Sequence, residues 1–310
     1  MDAHSRPRPL PTLRRHLRFV CSALTVAVLG AAGPAQPARL PDWRCTHPDA
    51  LFVDGVDGGP VSVGLPSGGS GGAYPGPVLR SVAVPGIGTR NVRLYLPAGY
   101  TPRHAAPLIV ALHGAAGPGQ AAAAAAAVAQ DWGPVAEAAQ AIVLAPVAGG
   151  SQGGWIPPEV DGSGPSDYDV IAAAIADAAG AYNVDRLRIH GWGYSAGGAV
   201  MHDLNLTPLN THYQAFAGYA VVASARALCP DYIGPYCEPA AAPTRVPVAI
   251  RIGLSDSLLP YARADRAAFV AAGWSEGTDL AYAEVAGGHT YDATGLAAAW
   301  SFLCPFRRDP

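Results

Sequence analysis

Three short stretches of this 310-residue chain carry side chains that could together transfer an acyl group: GWGYSAGG at 191–198, Ser-Asp-Ser at 255–257 and Gly-Gly-His at 287–289. A serine hydroxyl is a poor nucleophile at neutral pH. A protein that uses one must hold it clear of its neighbours and within reach of a base, which a third group orients. Ser195 stands between a strand-like run, LRIHGW, and a helix-compatible run, AGGAVMHDL. Gly193 and Gly197, two residues to either side, let strand and helix pass closely around a serine at a sharp turn, with the amide of Ala196 facing a developing oxyanion. The G-x-S-x-G spacing recurs at Ser70 and Ser151. Ser70 lies in a Ser/Gly run followed by Pro75 and Pro77, which suits a flexible linker. Ser151 leads into GGWIPPE, where two prolines forbid the required helix.

The elements that must position these groups begin at residue 78. Eight apolar runs of strand length (VLRSVAVPG, NVRLYLP, PLIVALHG, AIVLAPVA, RLRIHGW, AFAGYAVVAS, VPVAIRIGL, LAYAEVAGG) alternate with alanine-rich helical stretches after an initial hairpin turn at Gly86-Ile87-Gly88. One of these stretches, QAAAAAAAVAQDWGPVAEAAQ, reads as a single helix. Near-continuous apolar strands with helical crossovers predict an α/β domain: a mostly parallel eight-stranded sheet with helices on both faces. Catalytic groups then gather at the carboxyl ends of the strands. Asp256 follows VPVAIRIGL and His289 follows LAYAEVAGG, which makes them the acid and base candidates for Ser195. His190 lies inside a strand, His202 two turns along the helix after Ser195, and His212 in a connection; Asp231 and Asp279 do not follow strands. The oxyanion site needs a second amide, from Leu112-His113-Gly114-Ala115-Ala116-Gly117; Ala115 is the first choice and Ala116 the alternative, with His113 bracing that loop. Tyr194, beside the nucleophile, and Tyr232 and Tyr236, in the segment 229–237, are candidate substrate-facing aromatics.

Composition limits the alternatives. Half of the chain is apolar, enough for one large core. All 20 basic residues are arginine, which excludes Ser-Lys dyads, Schiff-base chemistry and lysine-dependent phosphate loops. Residues 1–35 read as a signal peptide, with five arginines before the apolar run FVCSALTVAVLGAA and small residues at Gly30 and Ala32, or Gly33 and Ala35, for cleavage. The protein is therefore expected to be secreted or periplasmic, with no stable membrane span after cleavage. Losing five arginines and Asp2 from 20 basic and 23 acidic residues leaves 15 and 22, a net charge of about −7 that disfavours nucleic acid as a partner. Residues 36–77 form a Pro/Gly-rich N-terminal segment and 78–310 the catalytic domain. Cys45, Cys229, Cys237 and Cys304 suit two disulfides in an oxidising compartment, with Cys229–Cys237 the local pair and Cys45–Cys304 the remaining one. No metal ion or other cofactor is called for.

With PLIVALHGAAG, DYDV, NVDRLRIHGWGYSAGGAV, IGLSD and GGHT in this order, residues 78–304 resemble secreted α/β-hydrolase esterases of the polyhydroxybutyrate depolymerase and feruloyl or acetyl-xylan esterase group. The resemblance implies the α/β-hydrolase fold. It also implies a serine esterase that works through an acyl-enzyme on a small-molecule or polymer-end ester, with Ser195 as nucleophile, Asp256 as acid and His289 as base. Trp155 resembles the aromatic that such esterases place beside the acyl or alcohol pocket. Polyester depolymerases of this group often carry cysteine and glutamine where Ala115 and Ala116 stand, so a small or soluble ester is as well suited as a polymer. Other readings are a serine peptidase or an acyltransferase on the same scaffold, or a non-catalytic envelope binding protein.

Overall fold

The computed structural model describes residues 64–72 and 76–308. The expected signal peptide and Cys45 lie outside the described residues. Eight strands form one sheet: β1 (Gly76–Val84), β2 (Gly88–Leu96), β3 (Ala106–Leu112), β4 (Ile142–Pro146), β5 (Val184–Tyr194), β6 (Gly218–Val222), β7 (Val248–Gly253) and β8 (Leu280–Val285), in the order β1-β2-β4-β3-β5-β6-β7-β8. The β1–β2 and β2–β4 pairs are antiparallel and every later pair is parallel. Every residue of β3, β4 and β6 is buried. Successive side chains of a strand point to opposite faces, so both faces of the central sheet are covered.

The helices are α1 (Ala121–Asp131), α2 (Gly133–Ala139), α3 (Asp167–Ala181), α4 (Ala196–Leu206), α5 (Leu259–Ala271) and α6 (Ala293–Leu303). The alanine-rich stretch expected to be one helix is two. Pro134 stands in the first turn of α2; its ring and missing N–H would break the ladder of a continuing α1, so the chain restarts after Trp132. Helix α3 begins in a reciprocal cap, in which Ser166 accepts from the Asp169 amide and Asp169 accepts from the Ser166 amide.

Residues 64–72 are not a free linker. The Ser67 amide donates to the Val184 carbonyl and the Gly71 amide to the Ala181 carbonyl, both at 2.8 Å, which pins this segment to β5 and α3. With β1 starting at Gly76, the folded domain begins earlier than residue 78.

Candidate active site

Strand β5 and helix α4 meet at Ser195. Its backbone is forced to φ 53°, ψ −120°, a conformation that costs a non-glycine residue energy and persists only where its surroundings hold it. The Ser195 amide donates to the Val222 carbonyl of β6 at 2.9 Å. A side chain at Gly193 would come within 2.2 Å of the Gly197 carbonyl oxygen, so strand and helix can pass here only without one.

The loops after β7 and β8 bring Asp256 and His289 to this corner. Ser195 Oγ donates to His289 Nε2 at 2.8 Å, and His289 Nδ1 donates to Asp256 Oδ2 at 2.9 Å. Asp256 accepts a further bond from the Leu258 amide at 2.9 Å. Its side chain is fully buried, whereas that of His289 is 41% exposed. The arrangement can pass the serine proton to an imidazole whose tautomer and charge the carboxylate stabilises.

A cleft of about 350 Å3 opens over Ser195. Ala196 and Ala115 line it from the start of α4 and the loop after β3, and Trp155, Pro157, Leu228 and Pro230 form its walls. The amide of Ala196 sits in the first turn of α4, where no intrahelical acceptor exists. Ala116, the alternative second donor, is spoken for, because its amide donates to the Gly153 carbonyl at 3.0 Å. His113 braces the loop: Nδ1 donates to the Gly114 carbonyl at 2.6 Å, and Nε2 accepts from the Ala148 amide at 3.2 Å. Burial pushes its pKa down and so keeps it neutral.

Trp155 lines the cleft, with Nε1 donating to the His113 carbonyl at 2.8 Å. The other three aromatics are elsewhere. Tyr232 is buried and donates to Asp203 at 2.7 Å, on the inner side of the segment closed by the Cys229–Cys237 disulfide. Tyr236 lines a separate groove of about 410 Å3 beside Arg226 and Tyr261. Tyr194 turns toward the His289 loop, its hydroxyl donating to the His289 carbonyl at 2.8 Å. Cys304 is disulfide-bonded.

The rival histidines and acids are remote from this chemistry. Burial pushes His190 and His202 down to about 3. Asp231 is held by Tyr236 and Asp279 by Arg245. Among the described residues there is no cluster of His, Cys, Asp or Glu able to hold a metal ion, and no helix is long and apolar enough to cross a membrane.

Two further residues shape the site without a local mark in the sequence. Asp167, fully buried, accepts from Arg90 and from the amides of Gly149 and Ile156, each at 2.8 Å, and so holds the loop that carries Trp155. Tyr168, next to it on α3, borders the cleft. Ser166-Asp167-Tyr168-Asp169 opens α3 with a reciprocal cap, and the loop that Asp167 gathers is distant from it in sequence.

Sheet order, strained serine corner and the positions of Ser195, Asp256 and His289 along the chain define the α/β-hydrolase fold. Solved structures agree. The chain is similar to a ferulic acid esterase (16% identity, TM-score 0.55, covering 72% of this chain and 93% of that one) and to a thermostable esterase (18%, 0.54, 75% and 63%). It is also similar to a puromycin hydrolase (19%, 0.53, 73% and 38%), so it spans well under half of that protein and just under two thirds of the thermostable esterase. No protein-family model and no curated protein matches the chain.

Proposed function

We propose that the protein is a secreted serine esterase that hydrolyses carboxylic esters, of the feruloyl, acetyl or hydroxyalkanoate kind, through an acyl-enzyme. The observation that carries this reading is the unbroken relay Ser195–His289–Asp256, at 2.8 and 2.9 Å, opening into a cleft. The substrate carbonyl carbon meets Ser195 Oγ while its oxygen turns to the amides of Ala196 and Ala115. As the new bond forms, His289 Nε2 takes the serine proton, and Asp256 stabilises the imidazolium. Collapse expels the alcohol, which leaves with the proton from His289. Water, deprotonated by the same nitrogen, then attacks the acyl carbon, frees the acid and restores Ser195. Each oriented amide donor lowers the barrier by about 2.7–4 kcal/mol. The cleft-lining residues carry no charged side chain, which suits a neutral ester with apolar or aromatic substituents.

The test is a panel of p-nitrophenyl acetate, methyl ferulate, a hydroxybutyrate oligomer and a peptide anilide, with a fluorophosphonate label for Ser195. We expect an initial burst with the activated ester, and a fall in kcat of about 10^4-fold or more in Ser195→Ala. Equal rates for Ser195→Ala and the unmodified protein would refute the serine mechanism. Faster turnover of the anilide than of any ester would make the protein a peptidase, and product transfer to an added alcohol in preference to water would make it an acyltransferase.

A further inference from the structure

The base candidate sits on a loop with little stiffness of its own. Gly287 and Gly288 precede His289, and Gly287 adopts φ +118°, open to glycine and costly for other residues. Backbone bonds hold the loop on its upstream side, where the Ser255 amide donates to the Gly287 carbonyl at 2.8 Å. At His289 the ring is held by Asp256 and Ser195 and the Thr290 amide donates to the Gly288 carbonyl, while the backbone carbonyl is held from β5: Tyr194, the residue immediately before Ser195, donates its hydroxyl to the His289 carbonyl at 2.8 Å. The two rings lie 5.5 Å apart.

Tyr194 makes two further contacts. Its ring packs edge-on against Tyr291 at 5.0 Å, and the Tyr291 hydroxyl donates to Asp131 of α1 at 2.7 Å. The ring also lies against Gly114 of the loop after β3. A methyl group there would lie 3.0 Å from Tyr194 Cδ1 and 3.1 Å from Ser195 Cβ. One side chain thus touches the three parts that must stay in register: the loop bearing the oxyanion amides, the nucleophile turn and the base loop. Tyr194 is not among the residues that line the cleft.

We propose that Tyr194 is a positioning residue that locks the His289 loop to the nucleophile turn, so that the Ser195–His289 distance is set by the strand bearing the serine. The proposal rests on the serine-esterase reading above. Its consequence is a specific kinetic signature. Removing the hydroxyl leaves substrate binding alone but lets the imidazole drift, and small misplacements of a catalytic group are costly in rate.

The experiment compares Tyr194→Phe, Tyr291→Phe and Ser195→Ala with the unmodified full chain. It measures kcat and KM on p-nitrophenyl acetate, the rate of fluorophosphonate labelling and the thermal midpoint. For Tyr194→Phe we expect kcat and labelling rate each to fall about tenfold, with KM within about twofold. The ring contacts persist in that variant, so its midpoint should stay close to that of the unmodified protein. Tyr291→Phe, which leaves the His289 carbonyl bonded, should lose about twofold to threefold in kcat. Three outcomes overturn the assignment: kcat of Tyr194→Phe within twofold of the unmodified protein, a rise in KM at constant kcat, which would make Tyr194 a substrate contact, or a fall in Tyr291→Phe as large as that in Tyr194→Phe. If Ser195→Ala is inactive while Tyr194→Phe is normal, only the positioning role fails. An active Ser195→Ala brings down the esterase reading itself.

Discussion

Two buried carboxylates, Asp203 within α4 and Asp256 beyond β7, have opposite surroundings in this protein. Asp256, beyond β7, accepts from the Leu258 amide and from His289, whose imidazole reaches the open cleft. Asp203, within α4, accepts from the hydroxyls of Tyr168, Thr207 and Tyr232, all of them buried. Burial raises the pKa of Asp203, an effect opposed by its hydroxyl donors, and it also raises the pKa of Tyr168 and Tyr232. The two phenols keep their protons at neutral pH, and Asp203 is not among the residues that line the cleft. The same groups, a carboxylate and hydroxyls, build a wall when sealed and a proton relay when an imidazole carries them to solvent.

The contrast is sharpest for activity. Asp256→Asn keeps the shape of the side chain but no longer favours the tautomer that leaves Nε2 free to accept, so kcat should fall about 10^4-fold while the protein remains folded, as steady-state kinetics and circular dichroism will read. Asp203→Ala should do the reverse. It strands three buried hydroxyls and should lower stability by about 3 kcal/mol, with a drop of about 6–12 °C in the thermal midpoint, while kcat of the folded fraction changes less than tenfold. A loss of turnover in folded Asp203→Ala as deep as that in Asp256→Asn would dissolve the distinction.

The smallest effect concerns histidines, with His289 at the cleft and His190 inside β5. Burial pushes His190 from 6.5 down to about 3, and neither of its ring nitrogens has a hydrogen-bond partner among the described residues. The folded protein keeps this ring neutral where the unfolded chain would protonate it. Its contribution to stability is therefore complete above pH 6.5 and is lost as pH falls from 6.5 toward 3, by about 2 kcal/mol between pH 6.5 and 5. His190→Phe preserves the edge-on packing against Trp300 and removes that loss. Urea midpoints at pH 7 and pH 5 should lie closer together in the variant than in the unmodified protein; an unchanged gap would show that His190 does not carry the acid sensitivity.

Legibility in the sequence followed the range of the forces involved. The central strands β3, β4 and β6 were readable because a strand covered on both faces is apolar throughout, and the outer strands β1 and β2 because exposed and buried residues alternate along them. The serine turn was readable because close passage demands glycine at 193 and 197. Tyr232 and Tyr236 were misplaced for the converse reason. The sequence puts them in one short closed segment, but which ring turns inward depends on Asp203, 29 residues from Tyr232 and on another element. Ala115 and Ala116 are indistinguishable by type. They separate only because Gly153 accepts from Ala116, and that contact exists because Asp167 gathers the loop after β4. The helix break after Trp132 was marked in the sequence by Gly133 and Pro134, and these outweighed the alanines on either side.

By itself the sequence determined the eight strands, their alternation with helical stretches, and which serine, aspartate and histidine follow strands, since these depend on local periodicity and backbone sterics. The folded sheet decided the rest: that His289 reaches Ser195 at 2.8 Å and Asp256 at 2.9 Å, that the Tyr194 hydroxyl turns to the His289 carbonyl rather than into the cleft, and that Asp203 is sealed. Hydrogen bonds act over about 3 Å and depend on orientation. Only the packing of distant elements brings their donors and acceptors into that range.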